Sequence, residues 1–341
     1  MIAALFHTHG DPGVIQLQEV PTPEPGPGQV RVRVHATALN HLDLWVRRGL
    51  PLTIPLPHIG GSDIAGVVES LGPGVAGVEP GTRVVVDPSL GYDWYDGVDP
   101  GPTMAAPEFR ILGEHLPGGM AEQVVVPVAN LLEIPPHLSF QTAAAASLNA
   151  VTAYRAVFTR GRVGVGDRVL VTGGSGGVAT LAIQMAVRAG ALVYAVTSGP
   201  ANVSRVKGLG AHVVVDRLES DAPRAIWQET GKRGVDVIID SVGGEQWNQW
   251  LRTLAPGGRL VCYGATAGAR VEVDLRLLFW KQAELLGTTM GTPREYREAM
   301  GMVFDGSVTP VIDTVLPLAE ARRGHELLEA GEIFGKVVLL P

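Results

Sequence analysis

The chain has 341 residues, 46% of them hydrophobic and 18% charged, with 34 acidic against 27 basic residues and a formal net charge of −7. That length holds two domains of ordinary size, and the acidic balance argues against a nucleic acid or an anionic membrane as partner. Cys262 is the single cysteine, which excludes an internal disulfide and any multi-cysteine zinc or iron–sulfur centre. No apolar run reaches the length of a membrane span and the start MIAALFHTHGDPG lacks a leader's basic region, so the expected location is the cytoplasm.

The first third is strand-rich and punctuated by Pro and Gly. Residues 21–30, PTPEPGPGQV, form a turn-dense connector, and residues 30–39, VRVRVHATAL, alternate apolar with polar as a half-buried strand does. Residues 41–48 read as a short helix. Residues 59–75 and 80–88 read as two more strands around glycine turns, a succession that predicts a small β-barrel-like unit rather than βαβ repeats. Residues 90–107 are aperiodic and predict a long loop. Residues 118–135 return to strand character, and residues 139–158 predict helix, with Ser139 as the N-cap of an alanine-rich run.

Residues 168–186, RVLVTGGSGGVATLAIQMA, join a β-branched strand to a helix with apolar positions at Val178, Leu181, Ala182, Met185 and Ala186. Between them, Gly173, Gly174, Ser175, Gly176 and Gly177 let the chain turn without a Cβ penalty and bring bare backbone close to a ligand. The amides and dipole of a helix start favour an anion there. The spacing Gly174-x-Gly176-x-x-Ala179 matches the dinucleotide fingerprint, so a pyrophosphate fits. Residues 191–199, 235–244 and 258–266 read as later strands of one sheet, and their alternation with helices implies parallel βαβ crossovers.

The first of these strands ends in Thr197-Ser198, where an NAD-binding sheet carries an acid. Two hydroxyls, with a cation at Arg205 in the next helix, favour NADP(H) over NAD(H); Arg205 reads equally well as a solvated helix cation. Cys262 sits within an apolar strand and reads as a buried, inert thiol. Residues 293–306 and 318–332 read as helices, and residues 335–340 as a closing strand.

Over nearly its whole length the chain resembles the medium-chain dehydrogenase/reductase superfamily, which holds zinc alcohol dehydrogenases and zinc-free quinone oxidoreductases. The motifs that carry the resemblance are PEPGPGQVRVRVHATALNHLDL, HIGGSDIAGVVESLGPGV, GGSGGVATLAIQMA, LGAHVVVD, GVDVIIDSVGG, LAPGGRLVCYGA and FGKVVL. The resemblance implies an α/β fold with a GroES-like β-barrel catalytic domain, residues 1–134 and 291–341. A Rossmann doubly wound parallel sheet is expected over residues 135–290.

The zinc branch carries C-H-x-D, and the matching stretch here is Asn40-His41-Leu42-Asp43. Its G-H-E corresponds to Gly61-Ser62-Asp63, and its third ligand position falls near Leu148-Asn149, so all three catalytic zinc ligands are replaced. Counting back from ILGEH, the four cysteines of the structural zinc lobe fall on Tyr92, Tyr95, Val98 and Ala106. Such a lobe is held by packing of Tyr92, Trp94 and Tyr95 or is left mobile. His41, His58, Asp43 and Asp63 lie near the matched site, but His58 precedes the family's ligand position by four residues, and no metal is expected.

The resemblance implies hydride transfer between nicotinamide and a carbonyl, an enone or a quinone. Zinc polarises a carbonyl oxygen; a conjugated acceptor needs less, because the arriving charge spreads and a hydrogen-bond donor can meet the developing oxyanion. By this likeness the candidate catalytic residues are Asn40, a neutral donor beside nicotinamide and substrate oxygen, with His41 and Asp43 bordering the same cleft. His41 reads as a proton relay, a phosphate contact or simple packing. Candidate cofactor contacts are Asn40, Thr152, Gly174, Ser175, Gly176, Gly177, Val178, Thr197, Ser198 and Arg205. To these are added the strand ends Ser241, Val242, Gly264 and Ala265, then Thr288, Met290 and Lys336, the last reading either as phosphate-directed or as a surface lysine.

Trp45, Leu50, Ile59 and Ser62 are the candidate substrate-pocket residues. Asn202 stands where related NADPH enzymes often carry a lysine. The expected protein is an NADP(H)-dependent, zinc-independent reductase of a small quinone, enone or related carbonyl. The alternatives are an alcohol dehydrogenase with a non-standard or absent zinc site, and a non-catalytic NADP(H)-binding sensor or structural protein. A homodimer joined through residues 284–289 is expected by the same likeness.

Overall fold

Val30, Val32 and Val34 alternate with Arg31, Arg33 and His35, and a strand of period two puts the three valines on one face. In the computed structural model, which describes residues 1–91 and 109–341, these valines are buried against Ile64, Val68, Val84, Val86, Val124 and Val126. The expectations at Tyr92, Trp94, Tyr95, Val98 and Ala106 lie outside the described residues.

The chain divides into two units, Met1–Asn149 with Gly291–Pro341, and Ala150–Met290. The first contains β1 (Ile2–Phe6), β2 (Gln16–Glu19), β3 (Gln29–Ala38), α1 (His41–Arg48), β4 (His58–Ile59), β5 (Asp63–Leu71), β6 (Arg83–Val86), β7 (Ser89–Leu90), β8 (Arg110–Ile111), β9 (Gln123–Pro127) and β10 (Leu131–Glu133). The helix α2 (Phe140–Tyr154) follows. Its start is capped as the sequence predicts, the Ser139 hydroxyl accepting from the Thr142 amide at 3.0 Å.

The second unit holds β11 (Arg168–Val171), α3 (Gly177–Arg188), β12 (Leu192–Thr197), α4 (Pro200–Gly208), β13 (Val213–Asp216), α5 (Ala222–Glu229), β14 (Val235–Asp240), α6 (Trp247–Thr253), β15 (Leu254–Cys262), α7 (Leu275–Lys281) and β16 (Glu284–Gly287). The chain then returns to the first unit with α8 (Pro293–Phe304), β17 (Ile312–Pro317), α9 (Ala321–Ala330) and β18 (Lys336–Leu340).

β3 organises the first unit. It bonds β5, β9 and β18 along its ten residues, within the order β10-β6-β5-β3-β18-β17. Two register shifts against β5 bend it. Gly66 sits at the second, where a Cβ would stand 2.0 Å from the Arg33 carbonyl oxygen, so only glycine lets the strands approach. β2-β1-β4 and β7-β8 form two smaller sheets.

The second unit is a six-stranded sheet in the order β13-β12-β11-β14-β15-β16, every pairing parallel. Its strands are apolar runs because helices cover such sheets on both faces. Leu170, Tyr194, Ile226, Ile238, Trp250, Leu254 and Leu260 share one core. The order reverses between β11 and β14, the switch point at which open α/β sheets bind ligands.

The division between units falls at Asn149, inside α2, rather than at 134. The first part of the helix is tied to the first unit: the Ser147 hydroxyl donates to the Val86 carbonyl at 2.8 Å and lies 3.0 Å from the Tyr296 hydroxyl. Among the described residues no helix is long and apolar enough to cross a membrane.

Candidate active site

Parallel pairing brings the C-terminal ends of β11, β12, β14, β15 and β16 to one edge. β11 leaves that edge through Gly173, at φ +59 in the left-handed region. The Gly174 amide donates to the Val196 carbonyl at 2.8 Å, and a Cβ on Gly174 would stand 3.2 Å from that same oxygen. α3 begins with Gly176 at its N-cap and no side chain capping it. The first-turn amides of Gly177, Val178 and Ala179 therefore have no helical carbonyl to bond, and the positive end of the helix meets the loop. Ala179 is buried, which keeps the helix close to the strand. These are the features that bind a pyrophosphate, and the cradle fits a dinucleotide.

Asp240, fully buried at the end of β14, braces this edge. It accepts from the Thr172 hydroxyl, from the amides of Val242 at 3.3 Å and Gly243 at 3.0 Å, and from the Trp247 indole at 2.9 Å. The loop it ties down places Ser241 and Val242 beside Gly173, where a Cβ would meet Val242 at 3.2 Å and Ser241 at 3.4 Å. Gly264 and Ala265 follow β15, and the Thr288 amide donates to the Cys262 carbonyl at 2.9 Å. Cys262 is half-buried rather than buried as the sequence predicts, and burial pushes its thiol up. Met290 takes φ +46 and is buried, as is Thr152 on α2.

At the end of β12, Thr197 is buried with its hydroxyl unpartnered. The neighbouring acid, Asp216, spends Oδ1 on the amides of Gly199 at 3.0 Å and Leu218 at 2.9 Å. Asn202 donates to the Ser198 carbonyl at 3.0 Å, and Arg205 is exposed on α4. The Arg217 amide donates to the Thr197 carbonyl, so a second exposed arginine starts beside this strand end. Sequence order alone, with Arg217 twenty positions on, carries no local sign of that.

In the first unit, β5, β3 and β18 lie side by side, with Ala38 opposite both Asp63 and Val338. That register gathers Asn40, Asp63 and Lys336. Lys336 is 2% exposed and Asp63 0%. The ammonium donates to Asn40 Oδ1 at 2.6 Å and to Asp63 Oδ2 at 2.8 Å. Asn40 Nδ2 donates to the same Asp63 oxygen at 2.9 Å, and Asp63 Oδ1 accepts the Leu148 amide at 2.7 Å. The ammonium sets which way the Asn40 amide faces, since only an oxygen can accept from it.

Asp43 clamps the start of α1. Its Oδ2 accepts the Asn40 amide at 2.7 Å and its Oδ1 the Gly61 amide at 2.9 Å. The other end of α1 is held by the fully buried Arg47, whose Nη2 lies 3.1 and 3.2 Å from the Glu329 carboxylate on α9. Burial pushes the Asp43 carboxyl up to about 6, against the pull of its two amide donors and Lys336. Burial and then Asp43 push Glu114 up to about 7. His41 is exposed at the helix start but is held below its ordinary value, by desolvation among its neighbours first and Lys336 second.

His58 is buried with Nε2 3.0 Å from the Gly113 carbonyl, and desolvation holds it low. Ser62 is fully buried and its hydroxyl is unpartnered. Trp45 is half-buried on α1. Leu50 packs against Phe6, Val46 and Ile54, and Ile59 against Ala3 and Leu5. Lys336 is not a surface lysine: two of its three donors are engaged inside the first unit.

Tetrahedral zinc takes thiolate, imidazole or carboxylate donors. Asn40, Ser62 and Leu148 offer an amide, a hydroxyl and an aliphatic chain, and the carboxylate beside them, Asp63, is already bonded through both oxygens. An ammonium stands among the oxygens a metal would seek, so this donor set does not fit zinc. Among the described residues no group of three His, Cys, Asp or Glu side chains could hold a metal.

Residues 26–136 match the family described as alcohol dehydrogenase GroES-like domain, and residues 177–305 that described as zinc-binding dehydrogenase. The second match lies outside the positions of Asn40, Ser62 and Leu148. Crotonyl-CoA reductase of Streptomyces collinus is 32% identical, over 100% of this chain and 86% of its own. Quinone oxidoreductase of Rattus norvegicus is 30% identical, over 97% and 95%. A solved NAD-dependent alcohol dehydrogenase superposes with a TM-score of 0.92 at 39% identity, covering 100% of both chains. A crotonyl-CoA carboxylase/reductase, AntE V350A, solved in complex with NADP, gives 0.91 at 28%, covering 100% and 94%.

The Asp43 carboxyl sits above its unfolded value of 3.8, so the folded chain holds that proton more tightly than the unfolded one. Its contribution to stability is full below about pH 4 and is lost as pH rises through about 6. We expect carboxyl ¹³C titration to place Asp43 near 6. Urea unfolding between pH 4 and 6 should show Asp43→Asn losing less stability than the native chain, by on the order of 2 kcal/mol. An Asp43 midpoint below 4 contradicts this.

Proposed function

The chain belongs to the medium-chain dehydrogenase/reductase superfamily and is an oxidoreductase of that kind, and from this we propose that it is an NADP(H)-dependent, zinc-independent reductase of conjugated carbonyls: enones, quinones and their relatives. The observation that carries the reading is the Asn40 amide, held at a metal-ligand position of the superfamily by a buried ammonium and a buried carboxylate.

When bound, the reduced dinucleotide supplies a hydride to the acceptor's electrophilic carbon and is left oxidised; a proton from water completes the two-electron reduction. The glycine loop and the start of α3 hold the pyrophosphate, and Asp240 keeps that loop in place. Asn40 spends one Nδ2 hydrogen on Asp63 and has a second to offer the acceptor's oxygen as charge arrives there. An amide is a weaker electrophile than zinc, which suits an acceptor whose conjugation spreads the incoming charge. A crotonyl group and a quinone, named by two of the relatives, are both of that class.

The phosphate at the adenosine 2′ position is favoured by the want of an acid on β12 itself, by the Thr197 hydroxyl, and by Arg205 and Arg217 nearby. The NADP complex of a structural neighbour supports the same choice. We further propose a homodimer through the open edge of β16, since the adjoining α7 exposes Leu275, Phe279 and Trp280. Sedimentation should show a dimer that Trp280→Glu splits; a native monomer refutes the assignment.

A cofactor-oxidation screen tests the main reading, with NADPH and NADH against quinones, enones, aldehydes and alcohols, each with and without a zinc chelator. We expect turnover of the conjugated acceptors that chelation leaves unchanged. NADPH should bind about tenfold or more tighter than NADH, with Arg205→Ala narrowing that gap. Stoichiometric zinc whose removal abolishes alcohol oxidation would establish the alcohol dehydrogenase reading in its place. Equal affinity for the two dinucleotides overturns the cofactor assignment, and tight NADPH binding without turnover of any acceptor leaves a non-catalytic binding protein.

A further inference from the structure

We infer that Lys336 is the fixed cation of this site, a positioning residue that polarises the Asn40 amide and so supplies from within the chain the positive charge a metal supplies elsewhere. The inference rests on the reductase reading above and deepens it. Its basis is the arrangement at Asn40: the ammonium lies 2.6 Å from the amide oxygen, closer than its 2.8 Å to the Asp63 carboxylate. A cation on the oxygen of an amide draws electron density from nitrogen and makes the N–H groups better donors, and the effect is strong in a site as dry as this one.

Asp63 has a different part. Its charge is divided between the Leu148 amide through Oδ1 and both Asn40 and Lys336 through Oδ2. By accepting one Nδ2 hydrogen it selects the other as the free donor, and through the same oxygen it holds the ammonium beside the amide. A lysine serving only to bind phosphate has no need of an amide oxygen at hydrogen-bond distance. A purely structural pair has no need of an acceptor that itself carries a spare donor.

The device has a chemical signature. Polarisation matters in proportion to the charge that collects on the acceptor's oxygen, so its loss weighs little on an electron-poor quinone and heavily on an unactivated enone. Removing Lys336 alone strands the Asp63 charge in the interior, which unfolds proteins for reasons unrelated to catalysis. The informative variants are the neutral pair Lys336→Met with Asp63→Asn, and Lys336→Arg alone, which keeps the cation.

The experiment measures kcat and KM for a series of quinones and enones of falling electrophilicity, with NADPH and with NADPH deuterated at C4. It also records the NADPH affinity and thermal midpoint of each variant. We expect the neutral pair to bind NADPH as the native protein does and to lose about ten- to a hundredfold in kcat. The loss should grow along the series, the deuterium effect should rise, and Lys336→Arg should keep most of the rate. A loss equal for every acceptor, no loss at all, or an arginine variant as impaired as the neutral pair overturns the inference and leaves the reductase reading standing. If the neutral pair does not fold, the arginine variant's rate and acceptor dependence decide. A native protein that reduces no conjugated acceptor overturns both.

Discussion

One buried ion pair, Lys336 with Asp63, sets the character of the first unit. Taking two charges out of water costs several kcal/mol each, and such a pair persists only when the remaining hydrogen-bonding capacity is met. Here the carboxylate accepts from an ammonium, a side-chain amide and a backbone amide, and the ammonium reaches a second oxygen on Asn40. The partners come from opposite ends of the chain, 273 residues apart. The site therefore exists only once β18 has docked on β3 and closed the unit.

The second unit solves a different problem with different means. The ligand proposed for it is an anion, and the chain offers bare backbone amides, glycines that let a carbonyl approach, and the positive end of a helix, with no side-chain charge in the cradle itself. Its one buried acid, Asp240, faces the protein rather than the ligand. By bonding the start of the glycine loop and the exit of β14 together, it fixes the two segments on either side of the switch point.

Much of this can be read from local pattern. The valine alternation of β3, the bounds of α1, the glycine loop and the strands β11, β12, β14 and β15 of the second unit follow from spacing, because spacing is what decides which face a side chain occupies. The Thr292–Glu295 capping box of α8 is as local. What escapes is whatever depends on pairing across the chain. A lysine after a glycine at the start of a terminal strand looks like a surface residue until an antiparallel neighbour brings Asn40 and Asp63 beside it. The packing of Phe6 and Val46 on Leu50, and of Ala3 and Leu5 on Ile59, is equally invisible in local spacing. The end of the first unit inside α2 is hidden for the same reason, since the bonds of Ser147 and Leu148 reach back to β6 and β5.

The account stands or falls on whether an ammonium and an amide occupy the ground that a zinc ion and its thiolate hold elsewhere in the superfamily. The most direct measurement is a crystal structure of the complex with NADPH, grown with zinc present and with anomalous data collected at the zinc absorption edge. The account requires continuous density from Lys336 to Asn40 and Asp63 and no anomalous peak among Asn40, Ser62 and Asp63. A zinc peak there, with Lys336 displaced toward solvent, contradicts it.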